Sequence, residues 1–126
     1  MIKINYTGRY NSRLNFVDDK DNYVGWDDSQ SCCESHFWGV FTDAYGNNPV
    51  SNDEAELARC SFKLNVVPYM LEDDSQHVDE CGGVMVFELI TDEGDMRYLL
   101  VGNDHNGYYS HSYEYTINGM KDGGSL

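Results

Sequence analysis

Asp104-His105-Asn106-Gly107-Tyr108-Tyr109-Ser110-His111 is the stretch on which the reading of the fold turns, because it stands between two runs of strand formers, Met96 to Val101 and Tyr108 to Ile117. Asn-Gly between such runs is a strong short-range hairpin signal, since both residues tolerate the positive φ that a type I′ turn requires. The expected structure is a hairpin turning at Asn106-Gly107. Working outward, Gly82-Gly83 opens a β-rich run from Val84 to Thr91, and Asp92-Glu93-Gly94-Asp95 turns it back into Met96 to Val101. These three strands would form a C-terminal antiparallel meander, with Lys121-Asp122-Gly123-Gly124-Ser125 as a frayed tail.

Upstream, Ile2, Ile4 and Tyr6 alternate on one face of a first strand. Leu14, Phe16 and Tyr23 to Trp26 continue in short strands broken by the turn residues Asp18-Asp19-Lys20-Asp21-Asn22. Ser31-Cys32-Cys33-Glu34 matches the capping-box pattern, and Cys33, Phe37 and Phe41 recur at a spacing of four, so a helix over 32–42 is expected, with a strand as the alternative. Ser51-Asn52-Asp53-Glu54 repeats the capping pattern before Ala55, Leu57 and Ala58, and Ser61 to Pro68 returns to period two. Leu71 to Glu80 carries five carboxylates with almost no apolar pattern and reads as an exposed loop. The fold class is therefore mainly β, with α+β the nearest alternative. An antiparallel meander, small sandwich or barrel with one or two short helices, folded as a single domain over 1–126, is expected.

The 126 residues carry 22 acids against 8 bases, a formal net charge of -14. That excess repels nucleic acid, anionic membrane and acidic ligands, and attracts a cation or a basic protein groove. No window approaches a signal or membrane segment, so the expected location is the cytosol. In that reducing compartment all four cysteines are expected as thiols.

Chemistry is less legible. Cys33 and His36 have a zinc-like spacing, but no second pair accompanies them, because Cys60 and Cys81 stand alone and His105 and His111 belong to the expected hairpin. Two polar side chains beside a turn account for those histidines at least as well as ligands do. No metal site, cofactor or catalytic residue is therefore assigned. The acids lack EF-hand spacing, the paired glycines lack a phosphate-loop lysine, and Cys32 lacks an evident base. Tyr109, His111, Tyr113 and Tyr115 would share a strand face, as a stacking surface or as residues at the margin of the core.

Ser31-Cys32-Cys33-Glu34-Ser35-His36-Phe37-Trp38 together with Asn106-Gly107-Tyr108-Tyr109-Ser110 resembles a family of small uncharacterised bacteriophage and bacterial domains, over residues 14–116. The resemblance implies a viral or mobile-element origin and a compact β-rich fold, and brings no activity with it. The acidic residues 72–80 have no counterpart in it. Two functional expectations follow. One is a phage-encoded, counter-defence binding protein that acts like an anti-CRISPR inhibitor inside the infected bacterial cell. Glu72, Asp73, Asp74, Asp79 and Glu80, with Asp92, Glu93 and Asp95 beside them, would mimic nucleic acid and fill the basic groove of a host protein without touching nucleic acid. The other is a small-ligand or metal-binding β module in which Cys32, Cys33 and His36 lie against His105, Asn106, Gly107, Tyr108 and Tyr109.

Overall fold

The computed structural model describes residues 1–29, 34–107 and 109–126. In chain order the elements are β1 (Lys3–Thr7), β2 (Arg13–Val17), β3 (Tyr23–Asp27), β4 (Glu34–Phe41), α1 (Asp53–Leu57), β5 (Cys60–Phe62), β6 (Tyr69–Met70), β7 (Cys81–Thr91), β8 (Met96–His105), β9 (Ser112–Ile117) and β10 (Met120–Ser125), with a 3₁₀ turn at Arg9–Asn11. All strand pairs are antiparallel. One sheet runs β1-β2-β3-β9-β10 and the other β4-β8-β7-β5, with β6 also paired to β7. The chain is thus mainly β, and neither sheet closes into a barrel among the described residues.

One apolar cluster joins the two sheets. Leu14, Phe16, Val24, Trp26, Tyr115 and Ile117 from the first pack with Val40, Met85, Phe87, Leu89, Leu99 and Val101 from the second. A smaller cluster lies on the other face of the second sheet, where Val84, Val86 and Leu100 meet Leu71, Val78, Phe37 and Phe41. β7 is consequently buried on both faces along its middle, which is why its sequence runs apolar instead of alternating.

The structure corrects the central sequence expectation. β8 and β9 lie in different sheets, so the chain from His105 to Ser112 crosses the sandwich instead of turning a hairpin. Gly107 has φ +103, but Asn106 is not left-handed, and a type I′ turn needs both. The I′ hairpin is at Asn118-Gly119, with φ of 51 and 79, joining β9 to β10. Residues 121–125, expected to fray, therefore belong to a paired strand, Met120–Ser125.

The helix expected over 32–42 is also overturned from residue 34 onward: Glu34–Phe41 is a strand paired to β8. A spacing of four is an even number and shares a strand face as well as a helix face. Phe37 and Phe41 accordingly point to the outer cluster, while Trp38 and Val40 face the core. The capping role expected of Ser31 and the placements of Cys32, Cys33 and Tyr108 lie outside the described residues. At the second capping pattern a helix does form, but Asn52 is its cap, accepting from Ala55 N–H at 3.0 Å. The strand expected over 61–68 is confined to Cys60–Phe62. Leu71 to Glu80 is not wholly exposed, since Leu71 is buried and His77 stacks on Phe37 with ring centroids 5.1 Å apart.

Candidate functional site: an imidazole–carboxylate cluster between the sheets

Two connections cross from sheet to sheet at the same end of the sandwich, one from β3 to β4 and one from β8 to β9. Their flanking residues converge. Asp27 and Asp28 leave β3, Glu34 and His36 open β4, and His111 leads into β9. His36 and Glu34 are two apart on a strand and so share a face, the core-facing one that also carries Trp38. His111 is brought under them by reciprocal backbone bonds to Leu126, at 2.9 and 2.8 Å.

The imidazoles of His36 and His111 stack with centroids 4.6 Å apart and planes at 18°. His111 is 2 % exposed at the side chain, the Glu34 side chain 0 % and His36 10 %. Each ring has one nitrogen held by an outer acceptor. His111 Nδ1 lies 2.5 Å from the Asp27 carbonyl oxygen, which only accepts, so Nδ1 carries the proton. His36 Nε2 lies 3.2 Å from Asp28 Oδ1, which fixes its proton in the same way. The remaining nitrogens both face Glu34: His111 Nε2 is 2.8 Å from Oε2 and His36 Nδ1 is 3.4 Å from Oε1. His36 Nδ1 is buried and has no hydrogen-bond partner among the described residues. Glu34, His36 and His111 each offer a ligand atom, all within 4.8 Å of one another. Trp26 closes the floor, its ring 5.6 Å from that of His111.

Beside the cluster is an open cleft of about 480 Å³, lined by Glu34, Ser35, Glu80, Asp104, His105 and Asn106. The register places Glu34 opposite His105 and His36 opposite Asn103, while Cys81 lies opposite His105 on the other side of β8. Glu34 and Ser35 thus neighbour the Asn106 turn, while Cys32 and Cys33, which the second expectation placed there, lie outside the described residues. The imidazole that meets His36 is that of His111, however, and not that of His105. His105 Nδ1 accepts the Gly107 N–H at 2.9 Å and caps the turn. His111, Glu34 and Asp28 carry the cluster, and of these only His111 stood out in the sequence. Tyr109 contributes its carbonyl, which accepts from Asn103 Nδ2 at 2.9 Å.

The acids expected to act together are divided. Glu72, Asp73, Asp79 and Glu80 are exposed and Asp74 half-buried on the segment before β7. Asp92, Glu93 and Asp95 lie beyond its far end, and a strand of that length spans about 33 Å. Asp92 and Glu93 are moreover paired with Arg59, at 3.4 and 3.6 Å. Tyr113 and Tyr115 turn toward the core, where burial pushes both phenols up in pKa, so the tyrosine face is a core margin. Cys60 is buried and its thiol pushed up to about 11, while Cys81 is exposed.

These features define an antiparallel β-sandwich domain with a buried imidazole–carboxylate cluster at the end where its two sheets are cross-connected. The chain belongs to a family of uncharacterised domains: the family model described as a domain of unknown function, DUF7448, matches residues 2–115. No curated protein and no solved structure matches it. Among the described residues no helix is long and apolar enough to cross a membrane.

Proposed function

We propose that this domain is a binding module for a small cationic ligand, seated where the β3–β4 and β8–β9 crossings meet. The observation that carries the reading is the charge balance of that end. Glu80 and Asp104 line the cleft beside Glu34, Asp27 and Asp28 lie against the two imidazoles, and among the described residues no lysine or arginine pairs with Glu80, Asp104, Asp27 or Asp28. The cationic side chains that form ion pairs, Arg13, Arg59, Lys63 and Arg97, do so with other acids. Carboxylates with no basic side chain to balance them, in a cleft of this size, favour a positively charged occupant. Melting temperature measured with a panel of divalent metal ions, polyamines and matched anions tests it. Stabilisation by one class of cation at micromolar concentration is expected, and a response to no cation would refute it.

A second reading has its own support. Glu72, Asp73, Asp79 and Glu80 are exposed, make no ion pair among the described residues, and sit on a segment pinned by Leu71, Val78 and His77. A fixed, uncompensated acidic face suits the basic groove of a host nucleic-acid-handling protein, as a phage-encoded inhibitor in the bacterial cytoplasm would require. Asp92, Glu93 and Asp95 are no part of that face. Capture from bacterial lysate at low and high salt tests it, and recovery of no nucleic-acid-processing protein even at low ionic strength would end it.

A further inference from the structure

We infer that Glu34, His36 and His111 bind a first-row divalent transition-metal ion, of the zinc, cobalt or nickel type, through Glu34 carboxylate oxygen, His36 Nδ1 and His111 Nε2. This rests on the cationic-ligand reading above and names the ligand class. With the outer nitrogens holding the ring protons, the two inner nitrogens and a carboxylate are gathered within 4.8 Å of one another, an arrangement that a positive centre between them stabilises. The outer contacts, His111 Nδ1 to the Asp27 carbonyl and His36 Nε2 to Asp28, are those that fix the tautomer and orientation of a metal-ligating imidazole. The buried, unpartnered His36 Nδ1 is the atom that most needs such a centre.

The spacing agrees with the chemistry. Zinc takes nitrogen and oxygen ligands at roughly 2.0–2.2 Å, so tetrahedral ligand atoms stand about 3.3–3.5 Å apart. Of the Glu34 contacts, that of 3.4 Å falls within this range and that of 2.8 Å just below it, and the outer limit of 4.8 Å leaves about an ångström to close. Two neutral imidazoles favour transition ions over calcium or magnesium, which take oxygen ligands. Glu34 and His36 belong to the second sheet and His111 leads into the first, so the ion would tie the two sheets together. Its binding energy would then be expressed as resistance to unfolding.

The test uses the full chain, freed of any tag and treated with a chelator. One equivalent of zinc or cobalt(II) should bind by calorimetry, and excess zinc should raise the melting temperature by about 10 °C at a hundredfold excess over Kd. Calcium and magnesium should not. Cobalt should quench Trp26, which lies against His111. His36→Gln should weaken zinc binding at least tenfold, and His77→Gln, remote on the outer cluster, should leave it unchanged. Because His111→Gln alters a buried site, the cobalt absorption spectrum of the unaltered protein gives a second readout, with nitrogen and oxygen ligands expected and no thiolate band. Absence of zinc or cobalt binding, or binding unchanged in His36→Gln, would overturn the assignment, and would mean that a proton alone holds the cluster together. A thiolate band would overturn it in favour of cysteine ligands. Stabilisation by polyamines without any metal response would leave the cationic-cleft reading standing and remove the metal.

Discussion

Gly82→Ala is expected to be among the most damaging single substitutions in this chain, and its cost can be separated into parts by a second glycine. Gly82 has φ +115, a backbone conformation that an alanine adopts at a cost of about 1–3 kcal/mol. A Cβ built there would also fall inside contact distance of the Asn103 carbonyl oxygen, and 2.9 Å from its carbon. That carbonyl belongs to β8, which is paired on both sides, so it has little room to retreat. Such a collision with fixed backbone adds about 1–3 kcal/mol. The sum, roughly 2–6 kcal/mol, is a large share of the ~5–15 kcal/mol that holds a domain together. With 126 residues, about 4 °C of melting temperature is lost per kcal/mol, so Gly82→Ala should melt about 8–24 °C lower. Gly94 has φ +87 with nothing within 4 Å of its would-be Cβ, so Gly94→Ala carries the backbone cost alone, about 1–2 kcal/mol or ~4–8 °C. Urea and thermal melts of both proteins make the comparison. Equal losses in the two, within about 0.5 kcal/mol, would refute the steric part of the reasoning and with it the tight approach of β7 to β8 at Asn103.

Two further outcomes follow from the charges. Asp73→Asn with Asp74→Asn should leave the melting temperature within about 2 °C of the parent while weakening capture of a basic partner, because exposed charges contribute little to stability. The Ser75 hydroxyl and N–H bonded to Asp73 hold its carboxyl below the usual range, but that group is fully exposed; a large thermal loss would show these acids to be structural. At alkaline pH, Cys60 and Tyr69 are raised by burial from 9.0 to about 11 and from 10.0 to about 12. Raised values favour the folded state while the groups are neutral, so this stability is full below pH 9 and falls as pH rises through 11 and 12. Urea midpoints from pH 8 to 12 should decline over that window, and a flat profile would contradict the burial of both groups.

Much of the fold was legible because the early strands alternate plainly. Leu14 and Phe16, buried against half-exposed Arg13, Asn15 and Val17, obey the period of two, and the Asp18 to Asn22 turn falls where its residues ask for it. The C-terminal third misled for a specific reason. Asn-Gly occurs twice, at 106–107 and at 118–119, and local propensity gives both the same reading. What separates them is tertiary: Ile117 and Met120 continue directly into one paired ladder, whereas His105 caps its own turn and the chain leaves for the other sheet. The last strand, through Lys121-Asp122-Gly123-Gly124-Ser125, has little intrinsic β preference and is held by pairing with β9. In the same way Phe37 and Phe41 satisfy a helical stripe and a strand face equally, and only the partner strand decides between them.

The candidate site was hidden by the same crossing. Glu34 and His36 are two apart in sequence, and that pair on a strand face carries no signature stronger than a surface charge. Its third member arrives from residue 111, through a connection that sequence reasoning had folded back on itself as a hairpin. Had the chain turned back at Asn106-Gly107, His111 would have fallen opposite Gly102 in the same ladder as His105, and His36 would have had no imidazole from the other sheet to meet. Because the chain crosses instead, His105 is spent on the turn and His111 is delivered to the interior, against Trp26 and within reach of a carboxylate from the opposite sheet. The misread turn and the missed site are therefore one error, and correcting the topology is what brings the three ligand atoms together.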